Sequence, residues 1–234
     1  MTSRIIAVPA SELARQAAEW LALELTRVIT ERGRCAVALA GGRTPEPVYR
    51  ELASAPAVDW TRVEVFFSDE RAVPPDHPES NYRMVRLALL SRVPVPAGQV
   101  HRMEAERPDR EIAAREYERT LPPRLDLMLL GMGPDGHTAS LFPGSAALEE
   151  RRRLVLPVTG PKPPAERLTL TPPAIEAART VAVIASGSDK AAMVVRALEG
   201  PLAPREVPAQ LARRGAWFLD HAAAERLTPG KVAT

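Results

Sequence analysis

Cysteine is all but missing: Cys35 is the only one among 234 residues. A lone thiol excludes an intramolecular disulfide framework and any cysteine-based structural zinc site, and a cytoplasmic location is the default expectation. Lysine is nearly as scarce, at Lys162, Lys190 and Lys231, so arginine supplies almost all of the positive charge. Charge of one sign is lacking too, since 31 basic and 29 acidic residues leave a formal charge of +2. That balance argues against unspecific attraction to nucleic acid or to an anionic membrane. No uncharged apolar run approaches the ~18 residues of a membrane span. The N-terminal stretch carries Arg4, Glu12, Arg15 and Glu19 where a signal peptide needs an unbroken apolar segment. Glycine, at 13 residues, is outnumbered by 24 prolines, which suits short and rigid loops. Repeats and long polar linkers are not apparent.

What is present is an ordinary globular composition, 45% hydrophobic and 26% charged, in a chain long enough for a sizeable core. Short, partly β-branched apolar runs at residues 5–8, 35–40, 63–68, 125–130, 154–158, 168–170, 181–185 and 216–219 read as strands. Between several of them lie stretches with apolar residues at helical spacing, at 11–32, 81–92, 109–121 and 188–198. Strand–helix alternation predicts an α/β fold whose mostly parallel sheet is covered by helices on both faces. The unbroken LDLMLL run predicts a central strand. The proline-rich stretch 157–164 is a possible boundary, but the pattern continues beyond it, so residues 1–234 read as a single domain.

Ligands of an open parallel sheet gather where strands end and loops lead into helices. Three such places carry unusual residues. In CAVALAGGRTPEP, Gly41 and Gly42 let the backbone turn and approach a ligand, Thr44 is an expected N-cap and Pro45 a first-turn proline. Free amides there, with Arg43 beside them, would suit a phosphate; the alternative is a plain tight turn with a surface arginine. In VEVFFSDERAV, Asp69, Glu70 and Arg71 follow a buried strand directly. Such charges are costly unless they face a hydrated site or pair with one another, and both readings stay open. The third, LLGMGPDGHTASLFPG, contains G-x-G-x-x-G at Gly131, Gly133 and Gly136. Asp135 would repel a pyrophosphate there, so the segment reads instead as a loop presenting His137. Histidine titrates near neutrality and is suited to accepting a proton. Ser140 lacks a nucleophile elbow, Cys35 reads as core, and His77, His101 and His221 have no ligand spacing, so no metal is expected.

The segments AGGRTP, SDERAVPPDHPESNY, LLGMGPDGHTASLFPG, PKPPAERLTLT and SGSDKAAMV occur in that order. Together they resemble the 6-phosphogluconolactonase family from about Ala40 to the WFLD ending. The resemblance implies a Rossmann-like fold similar to glucosamine-6-phosphate deaminase and hydrolysis of the lactone of 6-phosphogluconate in the oxidative pentose phosphate pathway, without metal or cofactor. It implies His137 as general base, Arg71 as oxyanion stabiliser, and Asp135 and Asp69 beside them in either an orienting or a structural role. It further implies that the phosphate is bound by the Gly42-Arg43-Thr44 turn, Arg167 and Lys190, and that Gly41, Gly133 and Lys162 also contact the substrate. The phosphate turn often carries serine where this chain has Arg43. A sugar-phosphate lactone is the expected partner, and a monomer the expected state. The alternatives are a deaminase-like isomerase and a non-enzymatic sugar-phosphate binder. Against the first, Asp69-Glu70-Arg71 replaces the deaminases' D-E-Y, and no acid stands in Ser140-Leu141-Phe142-Pro143, where those enzymes carry N-E-P.

Overall fold

The structure, a computed structural model, describes residues 4–55 and 58–231. Six strands form one parallel sheet, β1 (Arg4–Val8), β2 (Cys35–Leu39), β3 (Val63–Phe67), β5 (Leu127–Gly131), β8 (Thr180–Ala185) and β9 (Ala216–Asp220), in the order β1-β9-β8-β5-β2-β3. The LDLMLL run supplies β5, which lies between β2 and β8 as its continuous apolar character requires.

The long helix α1 (Ala10–Arg32) buries Leu13, Ala17, Leu21, Leu25, Val28 and Ile29, a stripe at helical spacing. It stops at Gly33, whose φ of 82° is left-handed and whose N–H reaches the Ile29 carbonyl. Helix α2 (Pro45–Leu52) follows β2, and the buried Tyr49 hydroxyl donates to the Ala40 carbonyl at 2.7 Å, tying the helix to the strand end. Thr44 is not the expected side-chain cap. Its dihedrals are already helical and its hydroxyl makes no capping bond. Helix α3 (Asn81–Val85) runs into a wider turn at Arg86–Leu90, and α4 (Arg110–Thr120) is capped by Asp109, which accepts from Ile112 N–H. Helices α5 (Pro172–Ala177), α6 (Ala191–Leu198) and α7 (His221–Ala224) complete the fold. No described helix is long and apolar enough to cross a membrane.

Two of the expected strands lie outside the parallel sheet. The runs at 154–158 and 168–170 do not join the parallel sheet. They form β6 (Val155–Thr159) and β7 (Glu166–Leu170), antiparallel to each other, with a third strand β4 (Asp69–Arg71) on the other side of β7. Parallel neighbours need a crossover of a dozen or more residues. The link from Thr159 to Glu166 is too short for one, so only a hairpin can form. Strand β4 lies beyond the expected strand at 63–68. A single residue, Ser68, separates it from β3, and Ser68 N–H bonds to Leu39 while its carbonyl accepts from Leu170 N–H. The chain therefore steps at Ser68 from the large sheet into the small one. This carries Arg71 out beyond the carboxyl end of β3 and into register with Arg167 on β7. One core of buried side chains includes residues of both sheets, Val65 and Leu129 together with Val155, Leu168 and Leu170.

Candidate active site

From β2 the chain moves outward to β3, whereas from β5 it moves the other way to β8, so the strand order reverses between β2 and β5. The loops leaving such a point diverge and open a crevice at the carboxyl edge. A cavity of about 700 Å³ lies there, lined by the β2 turn (Gly41 to Thr44), the β5 loop (Gly133, His137), the β8 loop (Asp189, Lys190) and the small sheet (Asp69, Arg71, Arg167). Lys162, in the link between β6 and β7, completes the wall.

The β5 loop folds back on itself. Gly136 sits at a φ of 84°, its N–H bonds to the Gly133 carbonyl, and Gly133 N–H bonds to the His137 carbonyl at 3.0 Å. The Thr138 hydroxyl closes the loop onto the Gly131 carbonyl at 2.8 Å. His137 is thereby held at the rim with Nδ1 only 2.5 Å from Asp135 Oδ1, which also accepts from the His137 N–H at 3.2 Å. The carboxylate thus bonds to both the loop backbone and the ring. Burial works against ionisation of Asp135, but the bonds from His137 outweigh it and hold its carboxyl below the ordinary range. A neutral imidazole bonded in this way to an ionised carboxylate carries its proton on Nδ1 and has Nε2 as a lone-pair acceptor. The ring lies so close over Gly133 that a Cβ on that glycine would sit 2.2 Å from it.

The Asp-Glu-Arg strand divides its labour. Asp69 Oδ2 accepts from the Ser140 hydroxyl at 2.6 Å and Oδ1 from Asn81 Nδ2 at 3.2 Å, so this buried acid joins the histidine loop to α3. Glu70 points away from the cavity. Its two oxygens accept from Arg71 N–H, Asn81 N–H, Tyr82 N–H and the Ser80 hydroxyl at 2.8–3.0 Å. Burial pushes the Glu70 carboxyl up, and the backbone bonds from Tyr82, Asn81 and Arg71 oppose that rise. With four donors aimed at two oxygens, Glu70→Gln leaves at least one donor facing an amide NH₂. The expected cost is about 2 kcal/mol, a drop of roughly 4–8 °C in thermal midpoint for a chain of this size. Scanning calorimetry checks it, and an unchanged midpoint would show that these bonds hold nothing.

Cationic side chains surround the rest of the cavity. Arg71 Nη1 donates to the Glu79 carbonyl at 2.7 Å, and Arg167 Nη2 donates to the Lys162 carbonyl at 3.3 Å. The Nε of each is buried with no hydrogen-bond partner among the described residues. Burial lowers the Lys190 ammonium from its ordinary value, and the nearby Arg43 guanidinium adds to the effect against Asp189 and Asp220. Asp220, through bonds from Ser186 Oγ, Gly187 N–H and Ala223 N–H, fixes the loop that carries Lys190. Arg43, Arg71, Lys162, Arg167 and Lys190 face only Asp69 and Asp189 among the cavity's ionisable acids, in a protein that is nearly neutral overall. A local excess of positive charge with unfilled donors suits an anionic ligand.

The twelve candidates thus divide simply: eleven line this cavity, and Asp135 stands behind His137. The rejected groups lie where expected. Cys35 is buried, its thiol pushed up to about 12 mainly by burial, and His101 stacks on Phe66 at 4.5 Å. Sequence reasoning missed Asn81, which lines the cavity and packs so tightly on Gly41 that a Cβ there would meet its Oδ1 at 1.8 Å. It also missed the buried Ser140, and Phe142 between His137 and Arg167.

The sequence profile of the family described as "Glucosamine-6-phosphate isomerases/6-phosphogluconolactonase" matches residues 9–219. The human 6-phosphogluconolactonase is 44% identical over 214 residues, which cover 84% of this chain and 82% of the human protein. The structure of 6-phosphogluconolactonase from Trypanosoma brucei superposes with a TM-score of 0.86 at 29% identity, covering 97% of this chain and 99% of that one. A monomeric glucosamine-6-phosphate deaminase shares the fold, with a TM-score of 0.83 at 23% identity over 95% and 99% of the two chains. A matched profile over most of the residues and a relative at this identity place the chain in the glucosamine-6-phosphate isomerase/6-phosphogluconolactonase family.

Proposed function

We propose that this chain, acting as one domain, hydrolyses 6-phospho-D-glucono-1,5-lactone to 6-phosphogluconate. The observation that carries this reading is the Asp135–His137 pair, 2.5 Å apart, set in the wall of a cavity whose other walls are cationic. Its Nε2 takes a proton from water as the water oxygen attacks the lactone carbonyl. The negative charge that develops on the carbonyl oxygen falls to Arg71, whose guanidinium lines the cavity. Collapse of that intermediate breaks the bond to the ring oxygen, which takes the proton back from His137 and leaves as a hydroxyl. Anchoring of the phosphate by Arg43, Arg167 and Lys190 fixes the ring against the base without changing during reaction.

The deaminase alternative needs a carboxylate free to move a carbon-bound proton. Asp69, the acid on the small-sheet wall, is committed to Ser140 and Asn81. The test is proton release from freshly made 6-phosphogluconolactone, with ammonia release from glucosamine-6-phosphate measured alongside. Lactone opening well above the spontaneous rate, with no ammonia, is expected. Ammonia release would establish the isomerase, and tight binding without turnover would establish a sugar-phosphate binder. Phosphate anchoring makes a separate prediction. Arg167→Leu or Lys190→Met raises KM by about 10- to 100-fold, the loss of a charge-assisted hydrogen bond, with kcat changed far less. Initial-rate kinetics decide it, and an unaltered KM removes that residue from the phosphate site.

A further inference from the structure

Phe142 has no part in the chemistry outlined so far, yet it touches both of its arms. The imidazole of His137 packs on its ring at a centroid distance of 4.9 Å and a tilt of 43°. The Arg167 guanidinium carbon lies 5.5 Å from the same ring. Where Gly160 ends β6, an added Cβ would come within 2.9 Å of both Arg167 Nε and the Phe142 ring. The contact is therefore closed from a third side by a residue with no side chain.

The loop that carries Phe142 is fixed on either side of it. Leu141 is buried and its N–H bonds to the Thr138 carbonyl. Ser140 is pinned through its hydroxyl to Asp69 and through its N–H to the Thr169 hydroxyl. After it, Ser145 N–H bonds to the Phe142 carbonyl. The ring thus has a set position on a strutted loop rather than a free one.

We propose that Phe142 is a positioning residue that couples His137 to Arg167, holding the base and the anion-binding guanidinium at a fixed separation through one aromatic ring. The proposal rests on the roles given to those two side chains above. The ring packs against the imidazole that Asp135 holds at Nδ1, so Nε2 keeps its aim during proton transfer. The same ring gives a largely buried arginine an electron-rich partner where its Nε has none among the described residues. A substrate anchored by its phosphate at Arg167 then meets the base at a distance set by Phe142 rather than by either polar group alone.

The test reads kcat and KM together. In Phe142→Leu, which keeps apolar bulk but removes the ring, KM rises about 5- to 30-fold through Arg167. In the same variant kcat falls by about 5-fold or more through the loosened His137. Gly160→Ala, which intrudes on the same contact from the other side at a backbone φ that alanine tolerates, gives the same paired defect. A thermal midpoint close to wild type in Gly160→Ala keeps the test valid if Phe142→Leu folds poorly. A change confined to one kinetic parameter, or to neither, in well-folded variants overturns the coupling. Should the wild-type protein show no lactone turnover, the functional reading fails on its own. The coupling is then tested by titration with inorganic phosphate and by the imidazole nitrogen resonances of His137, both of which must change in Phe142→Leu. If either stays as in wild type, the coupling is wrong.

Discussion

His137→Ala lowers kcat for lactone hydrolysis by at least ~100-fold and leaves the affinity for 6-phosphogluconate nearly unchanged. General base catalysis contributes ~10²–10⁴-fold. A lactone also opens spontaneously, so the residual rate of the variant approaches that of the solution reaction. Affinity survives because the cationic groups of the cavity stand on other elements, on the β2 turn, on β4 and β7 and in the β8 loop. Asp135→Asn separates the base from its support. The amide oxygen can still accept both N–H groups, but it carries no charge, and the flipped amide presents an NH₂ donor to Nδ1 instead. The imidazole is then free to adopt the other tautomer, and kcat falls by about 10-fold or more with KM largely preserved. Steady-state rates with product inhibition constants measure both variants. Full activity in His137→Ala would transfer the base role to another group, and full activity in Asp135→Asn would leave that carboxylate with the loop backbone alone.

Much of this arrangement is legible in the sequence because local chemistry and position in the fold agree there. Every expected strand is present, since runs such as LDLMLL and CAVALA have the apolar continuity of doubly buried strands. The His137 loop was readable because glycines at 131, 133 and 136 stand directly after such a run. What was not legible depends on where the chain goes next. The three residues Asp69–Arg71 are too short for any periodic pattern, and only their pairing with β7 makes them a strand. The antiparallel sense of β6 and β7 follows from the shortness of the link between them, which composition and periodicity do not encode. For Glu70, composition leaves a hydrated site and a structural pairing equally open. It proves to be a buried anchor for the start of α3, because the alternation of a strand turns it away from Asp69 and Arg71. Phe142 and Asn81 act through contacts made across the fold, and no spacing in the chain encodes them.

Gly133→Ala is expected to lose nearly as much activity as removal of the imidazole itself, while the protein stays folded. The backbone of Gly133 is not in the left-handed region, so alanine can adopt its conformation without strain. The obstacle lies in the side chain, because its Cβ would fall 2.2 Å from the His137 ring and 2.7 Å from Asp135 Oδ1. Relief requires the imidazole to shift by more than an ångström or to swing away from Asp135. A misplacement of ~1 Å in a reacting group costs on the order of 10²-fold in rate. The base can move in this way at small cost to the core, since the ring is at the rim and partly open to solvent. Gly41→Ala offers the contrast, for its Cβ would strike Asn81, a buried residue that bonds to Asp69 and whose N–H is held by Glu70. Relief there disturbs the start of α3, so Gly41→Ala loses stability as well as activity. Kinetics paired with calorimetry separate the two variants, and a Gly133→Ala protein with wild-type kcat would show that the imidazole does its work from some other position.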